Sequence, residues 1–179
     1  KAYKILEQLG HKIIMPVPSL FTFNIKNETL KDLMGTSFPF ASIEIPSLKL
    51  EESGSLLITH WGLSGPAVLK LSAWGARELA DLKYQFNIIV NFIGIDTERA
   101  LELLKEFKEN NSKKSVGQAK IFDITNRFWQ RILDLAQIDH SKQVAHLTQK
   151  EMERITTLLC ENKMKVSGKS TFKEEFVTA

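Results

Sequence analysis

The sequence predicts an α+β fold, in which a β-barrel-like antiparallel subdomain carries an inserted small helical-bundle subdomain. Short strand-like segments separated by proline and glycine fill residues 11–94, and strand-like character returns over residues 165–179. Apolar residues at helical spacing, with capping signals, fill residues 95–164. Residues 1–10 have the pattern of the end of a helix that stops at Gly10.

Alternating apolar residues predict the strands of the first part. Phe21, Phe23 and Ile25 alternate along one strand, which predicts one buried face. Residues 37–60 divide into short alternating pieces, and residues 84–94 are rich in β-branched and aromatic side chains. The pieces are interrupted by Pro39, Pro46 and Gly54. This pattern favours a small antiparallel sheet or barrel with several short strands.

Capping residues locate the predicted helices. Residues 66–82 have helical spacing after a Ser-Gly-Pro corner, and Asp96 begins a second helix. A third helix is predicted to begin near Thr125. Thr148 and Glu151 form the sequence pattern of a capping box at the start of the last helix.

Composition excludes several classes of protein. The 179 residues are 43% hydrophobic and 25% charged with a net charge of +3, and no block of like charges marks a nucleic-acid arm or a membrane patch. Cys160 is the single cysteine, which excludes an internal disulfide and a four-cysteine zinc site. The histidines show no metal-ligand spacing. We expect a cytoplasmic protein with no metal site, no nucleic-acid partner and no membrane partner.

The junction GSLLITHWGLSGPAVLKLS (residues 54–72) is the strongest candidate site. A nucleophile elbow needs Gly-x-Ser-x-Gly, but Pro66 occupies the position of the second glycine, so a catalytic role for Ser64 is disfavoured. Ser64 or Gly65 could instead cap a helix that begins at Pro66. The free N–H groups of such a helix suit an anion or ligand, yet a plain strand-to-helix corner fits equally well. His60 and Trp61 are open to the same two interpretations.

A second candidate is the group Arg127, Phe128, Trp129 and Arg131. Aromatic residues at helical spacing with flanking arginines favour a buried stripe with arginine edges over a nucleic-acid patch. The chain contains neither a Gly-x-Gly-x-x-Gly nor a P-loop motif. The sequence therefore shows no nucleotide-binding motif of its own.

Three segments carry a resemblance to a known family: GHKIIMPVPSLFTF, the junction and the closing FKEEFVTA. Together they resemble the BaiN/YhiN-type flavoproteins, the aminoacetone-oxidase-like FAD-dependent oxidoreductases of bacteria. The family run Gly-x-Leu-Leu-Phe-Thr-His-x-Gly-Leu-Ser-Gly-Pro-Ala matches residues 54–67, with Ile58 in place of phenylalanine. The likeness weakens in the helical part, where NFIG and TNRFWQRILDLAQI depart from the family pattern.

The resemblance implies a part of an enzyme, namely the insert of an FAD domain whose glycine motifs lie outside this chain. Residues 1–10 would then be the end of a flavin-domain helix. FAD would be bound by the complete protein and not by this fragment, with NAD(P)H as a further cofactor, and the partners would be the flavin-binding domain of the same polypeptide and a small-molecule substrate. The flavin- or substrate-facing residues would be Thr59, His60, Gly62, Leu63, Ser64 and Gly65. The alternative is a self-contained module in which a barrel and a helical bundle bind a protein or a nucleic acid.

Overall fold

The computed structural model describes residues 2–170 and 177–178, and within them the core is a closed antiparallel barrel. The order around the barrel is β2-β5-β4-β3-β6-β7, and β1 pairs separately with β8. The strands are β1 Pro18–Ser19, β2 Phe23–Ile25, β3 Ser37–Ile45, β4 Leu50–Ile58, β5 Gly62–Ser64, β6 Phe86–Asn91, β7 Asn162–Lys169 and β8 Val177–Thr178. The predicted antiparallel barrel is confirmed.

The β3–β4 hairpin is longer than the sequence predicts. The punctuation at Pro39 and Gly54 predicts several short pieces, but each of these residues lies inside a nine-residue strand. Proline is tolerated because the pairing register shifts between Phe38 and Ala41, which places Pro39 in a β-bulge. Gly54 has φ +145°, and an added Cβ would contact the Ala67 nitrogen of the following helix at 3.8 Å. The short-strand prediction is therefore wrong for this hairpin.

The barrel closes between distant parts of the chain. β2 pairs antiparallel with β7, and Ile25 lies opposite Val166. β7 begins at Asn162, three residues before the strand-like segment predicted at residue 165. The predicted segment 165–179 is described only up to residue 170 and at residues 177–178, so Lys1, Ala179 and residues 171–176 lie outside the described residues.

The helices are α1 Ala2–Gln8, α2 Pro66–Trp74, α3 Ala76–Asp81, α4 Thr97–Asn110, α5 Asn126–Leu135 and α6 Gln149–Cys160. The single helix predicted for residues 66–82 is wrong, because the chain divides at Gly75 into α2 and α3. A Cβ at Gly75 would lie 2.8 Å from Leu50 Cδ1, so the break places a glycine where a strand side chain packs against the helices.

The predicted helix caps of the helical region are confirmed. The Asp96 carboxylate accepts from the Arg99 N–H, and the Thr125 hydroxyl accepts from the Phe128 N–H. Thr148 and Glu151 form both hydrogen bonds of a capping box. These caps depend on residues within one turn, which is why the sequence reveals them.

An aromatic cluster joins the barrel to the helices. Phe38 of β3, Phe92 just after β6 and Phe128 of α5 have ring centroids 4.7–4.8 Å apart in each pair. All three side chains are almost completely buried. Because edge-to-face packing of this kind stabilises a core beyond its buried area, α5 is firmly attached to the barrel.

The first helix differs from the others because it has no buried residue. Its end forms a complete Schellman motif: the Gly10 N–H donates to Glu7 O, the His11 N–H donates to Leu6 O, and Gly10 has φ +85°. The predicted stop at Gly10 is therefore confirmed. Across the described ranges, each helix is too short or too polar to span a membrane.

Candidate functional site

The glycine turn, residues 59–65, connects β4 to α2 and contains the residues predicted to face a flavin or substrate. The Thr59 hydroxyl oxygen accepts from the N–H groups of Trp61 and Gly62 at 3.3 and 3.2 Å. The Thr59 N–H donates to Gly62 O at 2.8 Å. Thr59 therefore fixes the backbone of the turn, because its side chain satisfies N–H groups that the tight bend leaves without ladder partners.

Gly62 is required by the barrel itself. Its φ is +148°, and an added Cβ would lie 2.3 Å from Phe23 O and 2.6 Å from the Ile25 nitrogen. The Ile25 N–H also donates to Trp61 O at 2.8 Å, so β2 runs directly against the turn. The close approach that glycine permits here is made by the protein's own backbone.

Gly65 is the N-cap of α2, with φ +102°, and it has no side-chain cap. An added Cβ would lie 2.7 Å from Ser55 O in β4, so this glycine also serves close packing within the protein. The Ser64 hydroxyl accepts from the Thr22 hydroxyl at 3.1 Å. Of the two N-cap candidates, the structure selects Gly65 and uses Ser64 to connect β5 to the segment before β2.

A surface pocket of about 750 Å³ opens beside the glycine turn. Thr59, His60 and Gly62 line it from one side. The rest of the lining is Ile25, Lys26, Asn27, Glu28, Leu30, Lys31, Asp32, Met34 and Arg127. We call it the turn pocket. Leu63 is fully buried in the core, and Ser64 and Gly65 lie outside this lining.

The opposite wall of the turn pocket is a short loop, residues 27–32, held by arginines. Asn27 caps its 3-10 turn by accepting from the Thr29 N–H. Arg131 of α5 donates to Glu28 O at 3.0 Å and to Lys31 O at 3.2 Å, and Arg127 donates to Asp32 O. We call this segment the arginine-held loop. The helical region therefore fixes one wall of a pocket that belongs mainly to the barrel.

The turn pocket contains charges of both signs, with more cations than carboxylates. Glu28 lies 3.5 Å from the Lys31 ammonium and 4.0 Å from the Arg131 guanidinium, which offsets its charge. Lys26, Lys31 and Arg127 supply three cations to the lining, against the carboxylates of Glu28 and Asp32. The pocket consequently presents more positive than negative charge to a ligand.

Comparison with known proteins identifies the family of this chain. Residues 17–177 match the family described as "HI0933-like protein barrel and H2TH domain". The chain belongs to this family. The HI0933-like family is one of flavoprotein-related proteins, and its description fits the closed barrel joined to helices.

Two curated relatives of this HI0933-like chain share one name. The "Ribosomal RNA dihydrouridine synthase" of Escherichia coli is 25% identical over 182 residues, which cover 98% of this chain and 42% of that protein. The protein of the same name from Haemophilus influenzae is 36% identical over 83 residues, or 45% of this chain and 20% of that protein. The chain thus spans about two fifths of the length of the Escherichia coli relative.

The sequence contains no dinucleotide phosphate loop, and the two close-packed glycines of the turn, Gly62 and Gly65, direct their open side at Phe23 and Ser55. Between residues 2–170 and at 177–178, no cluster of three metal-ligating side chains occurs.

Burial, helped by Glu161 and Asp96, raises the pKa of the Cys160 thiol to about 12, so this cysteine stays protonated at neutral pH.

Sequence reasoning missed half of the turn pocket. The Phe128 and Trp129 side chains are buried, as predicted, and Trp129 donates its indole N–H to Val116 O. Arg127 and Arg131 were predicted only to flank the buried aromatic residues. In the structure they donate hydrogen bonds to loop carbonyls about 100 residues earlier in the chain. A spacing of four residues puts both arginines on one helix face, but only the fold shows what that face meets.

Proposed function

We propose that this chain is the barrel-and-helix insert of a BaiN/YhiN-type, FAD-dependent oxidoreductase that reduces uridine in ribosomal RNA. The observation that carries the proposal is the alignment of 98% of the chain with a ribosomal RNA dihydrouridine synthase. The flavin domain, with FAD and NAD(P)H, would be supplied by the rest of the polypeptide. The glycine turn would face the reacting groups.

The topology supports an insert. An insert must enter and leave its host near one point, and the short strands β1 and β8 pair antiparallel, with Pro18 opposite Thr178. The two connections to the barrel therefore lie side by side. α1, which precedes them, exposes several large apolar side chains, as a helix that packs on another domain would: Tyr3, Ile5 and Leu6.

The turn pocket supports a substrate-side role. Reduction of uridine adds two hydrogen atoms across the C5–C6 bond, and one of them arrives as a proton. His60 is exposed in the lining of the turn pocket, and imidazole is the side chain that most often serves as a general acid. Thr59 and Gly62 would hold it in place through the rigid turn. His60 would thus act on the substrate side, and flavin would be bound by another domain.

The RNA substrate departs from the expectation of a small molecule and no nucleic acid. That expectation rests on the absence of a basic block in the sequence. The cations of the turn pocket come from separated positions, Lys26, Lys31 and Arg127, which no local charge count detects. The shared name of the two relatives favours RNA.

The test uses the complete gene product that contains this chain. Its visible spectrum measures bound flavin, and mass spectrometry of ribosomal RNA measures dihydrouridine formed with NAD(P)H. We expect flavin absorbance, dihydrouridine formation, and at least a tenfold loss of that formation in His60→Ala with flavin retained. His146→Ala, also exposed but in the helical region, is the matched control. A flavin-free product that forms no dihydrouridine would refute the proposal.

The second candidate is a self-contained binding module, favoured by the lack of a dinucleotide loop in the chain. The visible spectrum of this chain expressed alone bears on both candidates. We expect no flavin absorbance from it. Stoichiometric FAD retention would mean that the cofactor site lies within residues 1–179, contrary to the geometry of Gly62 and Gly65.

A further inference from the structure

The turn pocket is wide, has a mixed polar and apolar lining, and is held on two sides. Its volume of about 750 Å³ exceeds the need of a single ion and lies in the range of sites for nucleotide-sized ligands. The Thr59 hydrogen bonds fix one side, and the Arg131 hydrogen bonds fix the other. A pocket with both walls fixed before binding loses little conformational entropy when a ligand enters.

The cations of the pocket suit a phosphate. Lys26 and Lys31 are exposed in the lining, and Arg127 reaches it from α5. The hydrogen bond to Asp32 O engages one of the five N–H donors of the Arg127 guanidinium. The cations therefore lie around one opening, although they come from two separate regions of the fold.

An exposed aromatic side chain is next to two of the lining residues in the chain. Trp61 lies between His60 and Gly62, which both line the pocket, and it is 56% exposed. Its backbone is held from both directions, because its N–H donates to Thr59 Oγ1 and its carbonyl accepts from Ile25. Met34, in the lining itself, is 49% exposed and offers a second apolar contact surface.

We propose that the turn pocket binds one nucleotide of single-stranded RNA, with its phosphate at Lys26, Lys31 and Arg127 and with a neighbouring base stacked on Trp61. Single-stranded nucleic acid is bound by this combination of cations along the backbone and aromatic surfaces for the bases. The choice of RNA over other phosphate ligands rests on the proposed function. Trp61 and the two lysines are thus assigned to RNA binding.

The experiment measures binding of the complete gene product to a uridine-containing single-stranded RNA of about 12 nucleotides. We expect Trp61→Leu to weaken binding about tenfold and Trp61→Phe to restore most of the affinity, since phenylalanine also stacks. The double variant Lys26→Gln/Lys31→Gln should lower the slope of log affinity against log salt by about 0.7 for each phosphate that the lysines no longer neutralise.

Matched controls lie elsewhere on the surface. Trp74, at the end of α2, is 72% exposed, and Lys105 and Lys150 are exposed on α4 and α6. Trp74→Leu and Lys105→Gln/Lys150→Gln should bind RNA as the native protein does. Flavin content, measured in every variant, shows that each one is folded.

The outcomes separate this inference from the proposed function. Native affinity and salt dependence in the Trp61 and lysine variants, with dihydrouridine still formed, would overturn the pocket assignment and leave the function standing. RNA binding that depends on Trp61 and the lysines, without any dihydrouridine, would refute the function and support the pocket. Equal weakening in the variants and their controls would also overturn the assignment, because the effect would then be one of general surface charge.

Discussion

The two walls of the turn pocket are held in different ways. On the glycine turn, Gly62 brings two backbones together with no side chain between them. On the arginine-held loop, Arg131 reaches carbonyls from α5, 103 residues away along the chain in the case of Glu28. The first wall cannot accept an added atom without moving the barrel. The second can loosen while the barrel remains closed, so the two walls should respond very differently to substitution.

The largest expected effect is at Gly62. Gly62→Ala places a methyl group against Phe23 O and Ile25 N in a backbone conformation that favours glycine. Overpacking and backbone strain together should lower the free energy of unfolding by about 4 kcal/mol. Chemical denaturation measures this decrease, and a variant as stable as the native protein would contradict the close approach of β2.

Gly35→Ala is the matched control for Gly62→Ala. Gly35 also has a positive φ, +85°, but no atom lies within 4 Å of its Cβ position. Its substitution should cost only the backbone strain, about 1 kcal/mol. If Gly62→Ala and Gly35→Ala lowered the free energy of unfolding equally, the loss at Gly62 would come from backbone conformation and not from packing against β2. The same reasoning makes Gly65→Val a test of folding, because its Cβ would meet Ser55 O.

An intermediate effect is expected at Arg131. Arg131→Met keeps the apolar stem and removes the hydrogen bonds to Glu28 O and Lys31 O, which should cost about 1.5 kcal/mol. Amide hydrogen exchange should accelerate in residues 28–32 while β3 and β4 keep their protection. Arg99→Met, which removes only exposed ion pairs on α4, should destabilise the protein less than Arg131→Met does. Exchange that accelerates throughout the barrel would mean that the second wall is part of the barrel's stability.

A smaller effect is expected at the α6 capping box, which contacts neither wall. Thr148→Ala removes the side-chain cap and should lower the free energy of unfolding by about 1 kcal/mol, with RNA binding unchanged. Chemical denaturation and the RNA-binding measurement check the two parts of this prediction. A loss of RNA binding in Thr148→Ala would show that the pocket depends on the whole helical region.

The capping box also predicts a pH dependence. Burial alone would raise the pKa of Glu151, but hydrogen bonds from Lys142 and Thr148 hold it below its ordinary value. A carboxylate with a lowered pKa stabilises the fold above its unfolded pKa, and the contribution is lost as pH falls through the folded pKa. The difference in stability between the native protein and Glu151→Gln should therefore be largest near neutral pH and vanish in acid. A difference that persists unchanged in acid would point to packing and not charge.

The smallest effect on stability is expected at His60. Its side chain is exposed at the pocket, so His60→Ala should change the free energy of unfolding by less than about 0.5 kcal/mol. Thermal or chemical denaturation checks this. If His60→Ala destabilised the fold as strongly as Gly62→Ala, its loss of dihydrouridine formation would have no mechanistic meaning.

The sequence predicts those parts of the fold that depend on neighbouring residues. The caps at Asp96, Thr125 and Thr148 and the stop at Gly10 each involve residues within one turn of chain, and all four are confirmed. The long β3–β4 hairpin and the helix break at Gly75 were missed. Both depend on interactions across the fold: the bulge that accommodates Pro39, and the Leu50 side chain that lies against Gly75.

The candidate site divides in the same way. The run from Thr59 to Gly65 is conspicuous in the sequence, because its glycines, serine and proline are contiguous. The sequence does not predict what the glycines of the turn contact. A positive φ and a close approach require glycine whether the neighbouring atoms belong to a ligand or to β2. The arginine-held loop has no sequence signal, because the arginines and the carbonyls they bind lie about 100 residues apart and are brought together only by the fold.

The closure of the barrel between β2 and β7 has a consequence for the order of folding. The Asn24 side chain donates to Lys169 O, and these residues are 145 positions apart. The β3–β4 hairpin needs only short-range contacts, and the contacts among α4, α5 and α6 stay within residues 97–160. Both should form sooner than a contact across nearly the whole chain, which must wait for the segments between to become compact. We therefore expect the helices to assemble before the ring of strands is sealed. A folding intermediate in which β2 and β7 are not yet paired would expose the edges of both strands. Closure of the barrel is therefore the folding step most vulnerable to aggregation.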